Sequence, residues 1–311
     1  GAHDSRGRAR ATRTSRQAAR LSFRATRAIL FRAMNIKPES LAVRRLRIGA
    51  MQGGRLTARD DAVAVEEPLE IRLALPGDTG PGRAVSITMR TPGQDVELAV
   101  GFLHGEGIVR TREAIASARP CGPTGNVVRI ELATGAPHDL SRLERNFYVS
   151  SSCGICGKAS LEAVQEMLPT RPVESALRVP ASLLGSLIER ARGAQGVFRE
   201  TGGLHASSLF DAGGRLLETA EDVGRHNALD KLVGSRLLAG LLPLSDHLLL
   251  LSGRASFELL QKAAAAGVAA VASIGAPSSL AIDLAERTGI LLIGFLREAT
   301  FNVYAHPERL Q

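Results

Sequence analysis

Apolar positions along this chain follow two patterns, and the switch between them divides it. Residues 61–75 (DAVAVEEPLEIRLAL) and 84–90 (AVSITMR) alternate apolar with polar, the period of a half-buried strand, with Pro68 marking a break or an edge. Residues 94–104 read as a helix, with Pro92-Gly93 before it and Gly105 after it, and residues 126–132 and 146–150 as further strands. Beyond Leu161 helices and strands take turns. Helices are predicted over residues 181–192, 226–238, 256–266 and 278–287, and apolar strands over 247–251, 268–274 and 290–295. Asp211-Ala212-Gly213-Gly214, between strands at 204–210 and 215–220, is a hairpin signal. Strands that are apolar throughout and separated by helices indicate a largely parallel sheet covered on both faces. The chain is expected to be α/β, with a smaller α+β lobe over residues 56–144 and a larger domain over 145–311.

In an open α/β sheet the turns that follow the strands share one edge, where ligands bind. Three polar clusters fall on such turns: residues 221–227 (EDVGRHN), Ser252-Gly253-Arg254 and Ala276-Pro277-Ser278-Ser279. Helix starts carrying Gly, Ser and Arg donate well to anionic oxygens. A phosphorylated ligand is therefore expected here, held through Arg225, Ser252, Arg254 and Ser278. Gly253 and Ser278 also suit ordinary turns and caps. Asp222 and His226 can either meet the ligand or brace the loop.

Charge changes the picture only at the N-terminus. Residues 1–50 hold 13 Lys/Arg and 2 Asp/Glu, leaving 26 against 29 in a mildly acidic body. Residues 1–55 are read as an unstructured basic tail, a composition that a targeting peptide shares. With no Trp, two Tyr and no interleaving of basic and aromatic positions in the body, nucleic-acid binding is not expected. The longest uncharged stretch, residues 263–282, is broken by Gly267, Gly275 and Pro277, which suits a helix, a strand and a second helix better than a membrane span. Three cysteines give no even disulfide framework and fit a reducing, cytoplasmic setting.

Two of those cysteines carry the chemistry. Cys153 and Cys156 are spaced Cys-x-x-Cys in SSCGICGKASLEAV, and Leu161, Val164, Met167 and Leu168 form a helical stripe behind them. Thiols at or just before a helix N-terminus, with bare glycine amides and Lys158 beside them, are held toward the reactive thiolate. Sulfur chemistry or metal binding follows. His104-Gly105-Glu106 ahead of the pair echoes the zinc deaminase signature, in which His104, Cys153 and Cys156 would hold zinc while Glu106 moves protons; Ser152 stands where that signature has Pro. A thioredoxin-like role fits less well, because the pair joins two lobes instead of opening a small domain. Cys121, in a Pro/Gly-rich turn, is read as incidental, and Glu66, Glu67 and Glu97 as solvated.

SSCGICGKASLEAV, TGGLHASSLFD, EDVGRHNALDKLVG, LSGRASFELLQKAAAAGV, APSSLAIDLAERTGILLIGFL and FNVY occur together and in order. In this they resemble the FdhD family of formate dehydrogenase accessory sulfur carriers, a likeness that runs from around Asp60 to the C-terminus. The resemblance implies a homodimer whose larger domain is similar to the cytidine deaminase fold. It implies a sulfurtransferase in which Cys153 accepts persulfide sulfur from a cysteine desulfurase, with Cys156 as its partner. The sulfur then passes to the molybdenum of the bis(molybdopterin guanine dinucleotide) cofactor destined for formate dehydrogenase. The family's cofactor-binding segment matches Phe295, Leu296, Arg297, Glu298, Ala299 and Thr300, where this chain lacks a glycine that some members carry. A non-catalytic chaperone holding the same cofactor is the other reading the resemblance allows.

Overall fold

The structure, a computed structural model, describes residues 41–123, 125–135 and 173–311. The Cys-x-x-Cys pair, the strand expected over 146–150 and the helical stripe behind the cysteines lie outside the described residues. The chain divides into two compact units, residues 1–63 and 64–311.

In the first unit, strands β1 (Val43–Gln52) and β2 (Arg55–Ala64) form a two-stranded sheet. Gly53 and Gly54 make the turn between them with φ of 55° and 77°, the backbone that a two-residue hairpin needs. The tail expected through residue 55 therefore ends earlier. Half-buried Leu46, Ile48 and Ala50 alternate with exposed Arg45, Arg47 and Gly49, a strand period that the density of arginine obscures.

The second unit holds two sheets. The smaller has the order β4-β3-β6-β5, from β3 (Glu67–Ala74), β4 (Arg83–Arg90), β5 (Ile115–Cys121) and β6 (Val127–Leu132). Pro68 is tolerated inside β3 because β6 pairs with β3 only from Glu70 onward, so Pro68 has a strand on one side alone. Cys121 is the last residue of β5, not part of a turn. Helix α1 (Asp95–Gly105) buries Leu98 and Leu103 against Leu69, Ile71, Val128 and Ile130. The buried Arg90 guanidinium donates to both Asp95 oxygens (2.8 and 2.9 Å) and to Asn126 Oδ1 (3.0 Å), tying β4 to the start of α1.

The larger sheet has the order β12-β11-β10-β9-β7-β8, from β7 (His205–Asp211), β8 (Leu216–Asp222), β9 (His247–Leu251), β10 (Ala270–Ser273), β11 (Leu291–Gly294) and β12 (Asn302–Ala305). β9, β10 and β11 are parallel, as expected, but the sheet as a whole is mixed. Asp211 to Gly214 turns the chain straight back between β7 and β8. The seven residues between β11 and β12 are too few for a crossover helix. Helix α2 (Ala181–Ala194) is followed by the short α3 (Gly196–Thr201); α4 (Arg225–Leu238), α5 (Phe257–Ala265) and α6 (Ser279–Thr288) connect the strands. Alternate strand residues serve opposite faces. Leu248 and Leu250 share a core with α2, while Leu249 and Leu251 share one with α4, α5 and α6.

The two sheets join where α1 meets α4. A methyl group on Gly101 would stand 1.9 Å from Asp230 O, and one on Gly234 1.9 Å from Glu97 O, so only glycine permits this approach. No helix among the described residues is long and apolar enough to cross a membrane.

Candidate functional site

Strand directions bring the carboxyl ends of β8, β9, β10 and β11 and the start of β7 to one edge of the larger sheet. The turns there are bonded main chain to main chain. Gly275 N donates to Gly253 O (2.8 Å), Ser278 N to Ala255 O (3.0 Å) and Phe295 N to Gly275 O (3.0 Å). A Cβ on Gly275 would lie 2.9 Å from the Arg254 side chain and 3.0 Å from its Cα, so the ledge closes up only because a side chain is missing there.

Asp222, at the end of β8, is fully buried and both of its oxygens are engaged. Lys231 Nζ lies 2.8 Å from Oδ2, which also accepts the Thr91 amide (3.1 Å); Oδ1 accepts the Gly224 amide (2.8 Å) and Asn227 Nδ2 (3.1 Å). Lys231 donates further to the carbonyls of Thr91 (2.8 Å) and Glu221 (3.1 Å). A buried charge persists only when paired and hydrogen-bonded. Of the two roles open to Asp222, bracing the loop is the one its geometry gives.

Beside this turn, between α2, α3 and the sheet edge, opens a cleft of about 410 Å³. Ile188, Leu204, Val223 and Ile274 give it apolar walls, and Gln195, His205 and Ser252 give it polar groups. Ser252 Oγ accepts the Ala206 amide (2.8 Å) and lies 3.4 Å from His205 Nδ1. Burial, and then the neighbouring Arg225 and His226, hold the His205 imidazole below its ordinary value of 6.5, so the ring is uncharged at neutral pH. Glu221 fastens the α3 wall. Its carboxylate accepts the Val197 amide (3.1 Å) and the Phe198 amide (2.8 Å), a negative charge at a helix start.

The family model described as the FdhD/NarQ family matches residues 64–311. The chain belongs to that family. It is 47% identical over 273 residues to the sulfur carrier protein FdhD of Mycolicibacterium paratuberculosis, covering 86% of this chain and 98% of that protein. It is 48% identical over 278 residues to the protein of the same name from Streptomyces avermitilis, covering 86% and 95%. Among solved structures it resembles a candidate formate dehydrogenase accessory protein from Desulfotalea psychrophila, with a TM-score of 0.69 at 26% identity over 87% of this chain and 100% of that one.

Within this FdhD/NarQ chain the expected site residues part company. Cys153 and Cys156 lie outside the described residues. Ser252 lines the cleft, Arg225 opens α4 beside it, and Arg254 is exposed on the ledge. His226 Nε2 stands 2.9 Å from Glu258 Oε2, close enough for an ion pair but without hydrogen-bond alignment. Ser278 is exposed and caps α6, its Oγ accepting the Ala281 amide (3.3 Å). The segment 295–300 follows β11, one strand beyond the ledge of β9 and β10. Phe295 takes a left-handed backbone (φ 52°) and is partly exposed. Leu296 is fully buried in the core that α2 covers, so its side chain packs inward instead of facing a ligand. Arg297 folds back onto Ile274 O (2.7 Å) and Leu296 O (2.8 Å), and its amide donates to Thr300 O (2.8 Å). Glu298, Ala299 and Thr300 are exposed.

His104 is buried, with Nδ1 2.9 Å from Val109 O and Nε2 3.2 Å from Ala265 O. Both ring nitrogens face main-chain carbonyls, which leaves no direction for the zinc ligation considered for it. Sequence reasoning does not single out His205 or Gln195. His205 sits in the TGGLHASSLFD motif, which was a usable signal; Gln195 merely ends an amphipathic helix and offers none.

Proposed function

We propose that this chain is a sulfurtransferase: Cys153 accepts sulfane sulfur from a cysteine desulfurase and delivers it to the molybdenum of bis(molybdopterin guanine dinucleotide), its cargo, on the way to formate dehydrogenase. The observation that carries this reading is the match to proteins named sulfur carrier protein FdhD over nearly their whole length. The likeness to a candidate formate dehydrogenase accessory protein supports the choice of client.

The Cys153 thiolate attacks the terminal sulfur of the donor's persulfide. That S–S bond breaks, the donor departs as a thiolate, and Cys153 holds the persulfide. Attack by Cys156 on the Cys153 sulfur then closes a disulfide and releases hydrosulfide toward the metal, and a dithiol reductant reopens the pair. Arg225, Arg254 and the glycine-rich ledge suit the cargo's pyrophosphates. The exposed residues of the 295–300 segment extend the same edge. The proposal includes a homodimer in the cytoplasm and a cytidine-deaminase-like larger domain. A hairpin followed by three parallel strands with intervening helices supports the last of these.

The test is rescue of formate dehydrogenase activity in cells lacking their own carrier. The wild-type chain restores activity and Cys153→Ala does not. Full rescue by Cys153→Ala rejects sulfur transfer through that residue. Full rescue by the double variant Cys153→Ala/Cys156→Ala favours the cofactor-holding chaperone.

A further inference from the structure

His226 and Glu258 come from the first turns of neighbouring helices, α4 and α5. Nε2 of His226 is shut away from solvent, 2.9 Å from Glu258 Oε2, while the side chain as a whole is 22% exposed. Nδ1 makes no hydrogen bond among the described residues and is not shut away, so it is the nitrogen that meets solvent at the sheet edge. Glu258 sits where the amides of α5 favour a negative charge. A carboxylate at Nε2 keeps the proton of the neutral ring on that nitrogen, and it balances the charge once Nδ1 takes up a second. This is the arrangement of a histidine held in one orientation to pass a proton through its outer nitrogen.

The charged and titratable neighbours leave that task to His226. Asp222 has both oxygens engaged and is paired with Lys231. Asp230, deeper in α4, accepts from Lys262 Nζ at 2.7 and 2.9 Å. Arg225 and Arg254 keep their protons, as guanidinium groups do. His205, within electrostatic reach of His226, is held uncharged by burial and has its Nδ1 3.4 Å from Ser252 Oγ. An uncharged imidazole is a poor proton donor.

Delivery of sulfur to the cargo consumes a proton. Exchange of a terminal oxo ligand for sulfido is Mo=O + HS− + H+ → Mo=S + H2O. The metal–oxygen bond breaks and a metal–sulfur bond forms. The oxygen leaves as water, with one proton from hydrosulfide and one from the protein, and the metal keeps its oxidation state. A positioned acid speeds such a departure by about 10²–10⁴-fold.

We infer that His226 donates this proton from Nδ1 to the departing oxygen, and that Glu258 is its positioning residue. The inference rests on the sulfur-carrier reading and adds what drives the oxygen off. Of the two roles open to His226, it meets the ligand, as an acid and not as an anchor.

The full chain is loaded with radioactive sulfur at Cys153 and mixed with the oxo form of the cofactor, and the passage of label to the cofactor is timed. His226→Ala slows this passage roughly a hundredfold while Cys153 still loads. Free imidazole, which fits the space left by the ring, restores most of the rate. Glu258→Gln loses part of it. Nitrogen-15 NMR of the histidine-labelled wild type supplies a readout that needs neither sulfur nor cofactor. The signal, assigned by its loss in His226→Gln, shows the proton of the neutral ring on Nε2, and Glu258→Gln weakens that preference. Wild-type transfer in His226→Ala, a loss that imidazole does not repair, or a neutral ring protonated at Nδ1 overturns the inference. A His226→Ala chain that no longer loads also overturns it, by giving the ring a part in the fold or in an earlier step. Failure of the wild-type chain to load sinks the sulfur-carrier reading and this step with it. Normal loading with transfer indifferent to His226→Ala sinks this step alone.

Discussion

Lys231 Nζ lies 2.8 Å from Asp222 Oδ2, and neither side chain is more than 2% exposed. This ion pair ties the end of β8 to the face of α4, and so fixes where Arg225 and His226 stand on the sheet edge. Lys231→Met leaves the carboxylate buried without its counter-charge, at a cost of about 3–5 kcal/mol. Urea unfolding at pH 7 measures it. A loss no larger than the ~1 kcal/mol typical of a surface pair would show that the clamp is not structural.

Gly101 and Gly234 set the distance between α1 and α4, since a methyl group on Gly234 would come 2.7 Å from the Gly101 amide nitrogen. Alanine at either position forces the helices apart and costs roughly 1–3 kcal/mol or more. Gly193, in α2, is the control: a methyl group there meets nothing within 4 Å. Gly193→Ala gains about 0.5–1 kcal/mol through helix propensity. Equal effects at all three sites would contradict the close approach.

Helices α1, α2 and α4 to α6 and strands β4, β6 and β7 to β11 are legible in the sequence to within about two residues, because local period and core agree there. β1 is hidden by Arg44, Arg45 and Arg47, which give it the composition of a tail. β12 is too short to show a period, and β5 carries Pro120 near its end. The site edge is legible from where the polar clusters fall. The cleft is not, because Gln195, His205 and Ser252 arrive from three elements far apart in the chain and no spacing encodes their meeting. Asp222 marks the same limit from the other side. In sequence it is a polar residue next to Gly224-Arg225-His226, and only its buried bonds to Lys231 and Thr91 reveal a brace.

Acid weakens the fold through its histidines. His104, His205 and His247 are each held below their ordinary value of 6.5, with burial the largest cause in every case. As the pH falls through that value the unfolded chain takes up protons that the folded chain refuses, so stability present at pH 7 is lost. His306, where burial is outweighed by its bonds to Glu308 and the Glu286 carbonyl, is raised and works in the opposite sense nearer the surface. The unfolding free energy is expected to decline from about pH 7 to about pH 5.5, and His104→Asn should flatten that slope. An unchanged slope would remove His104 from the explanation.

Glu221 holds the first amides of α3 against the cleft. Glu221→Ala removes a cap worth about 1 kcal/mol. The Val197 and Phe198 amides should then exchange with solvent several-fold faster while the β9 and β10 amides keep their protection. Unchanged exchange at Val197 and Phe198 would show that the wall stands without its cap.

Sulfur transfer through Cys153 is tested most directly by mass analysis. The chain is incubated with a cysteine desulfurase and cysteine in the absence of reductant, and intact protein and peptides are then weighed. The expected result is one added sulfur atom on Cys153 in the wild type and in Cys156→Ala, and none in Cys153→Ala. A wild-type chain that gains no sulfur at Cys153, or a Cys153→Ala chain that loads as well as the wild type, would contradict it.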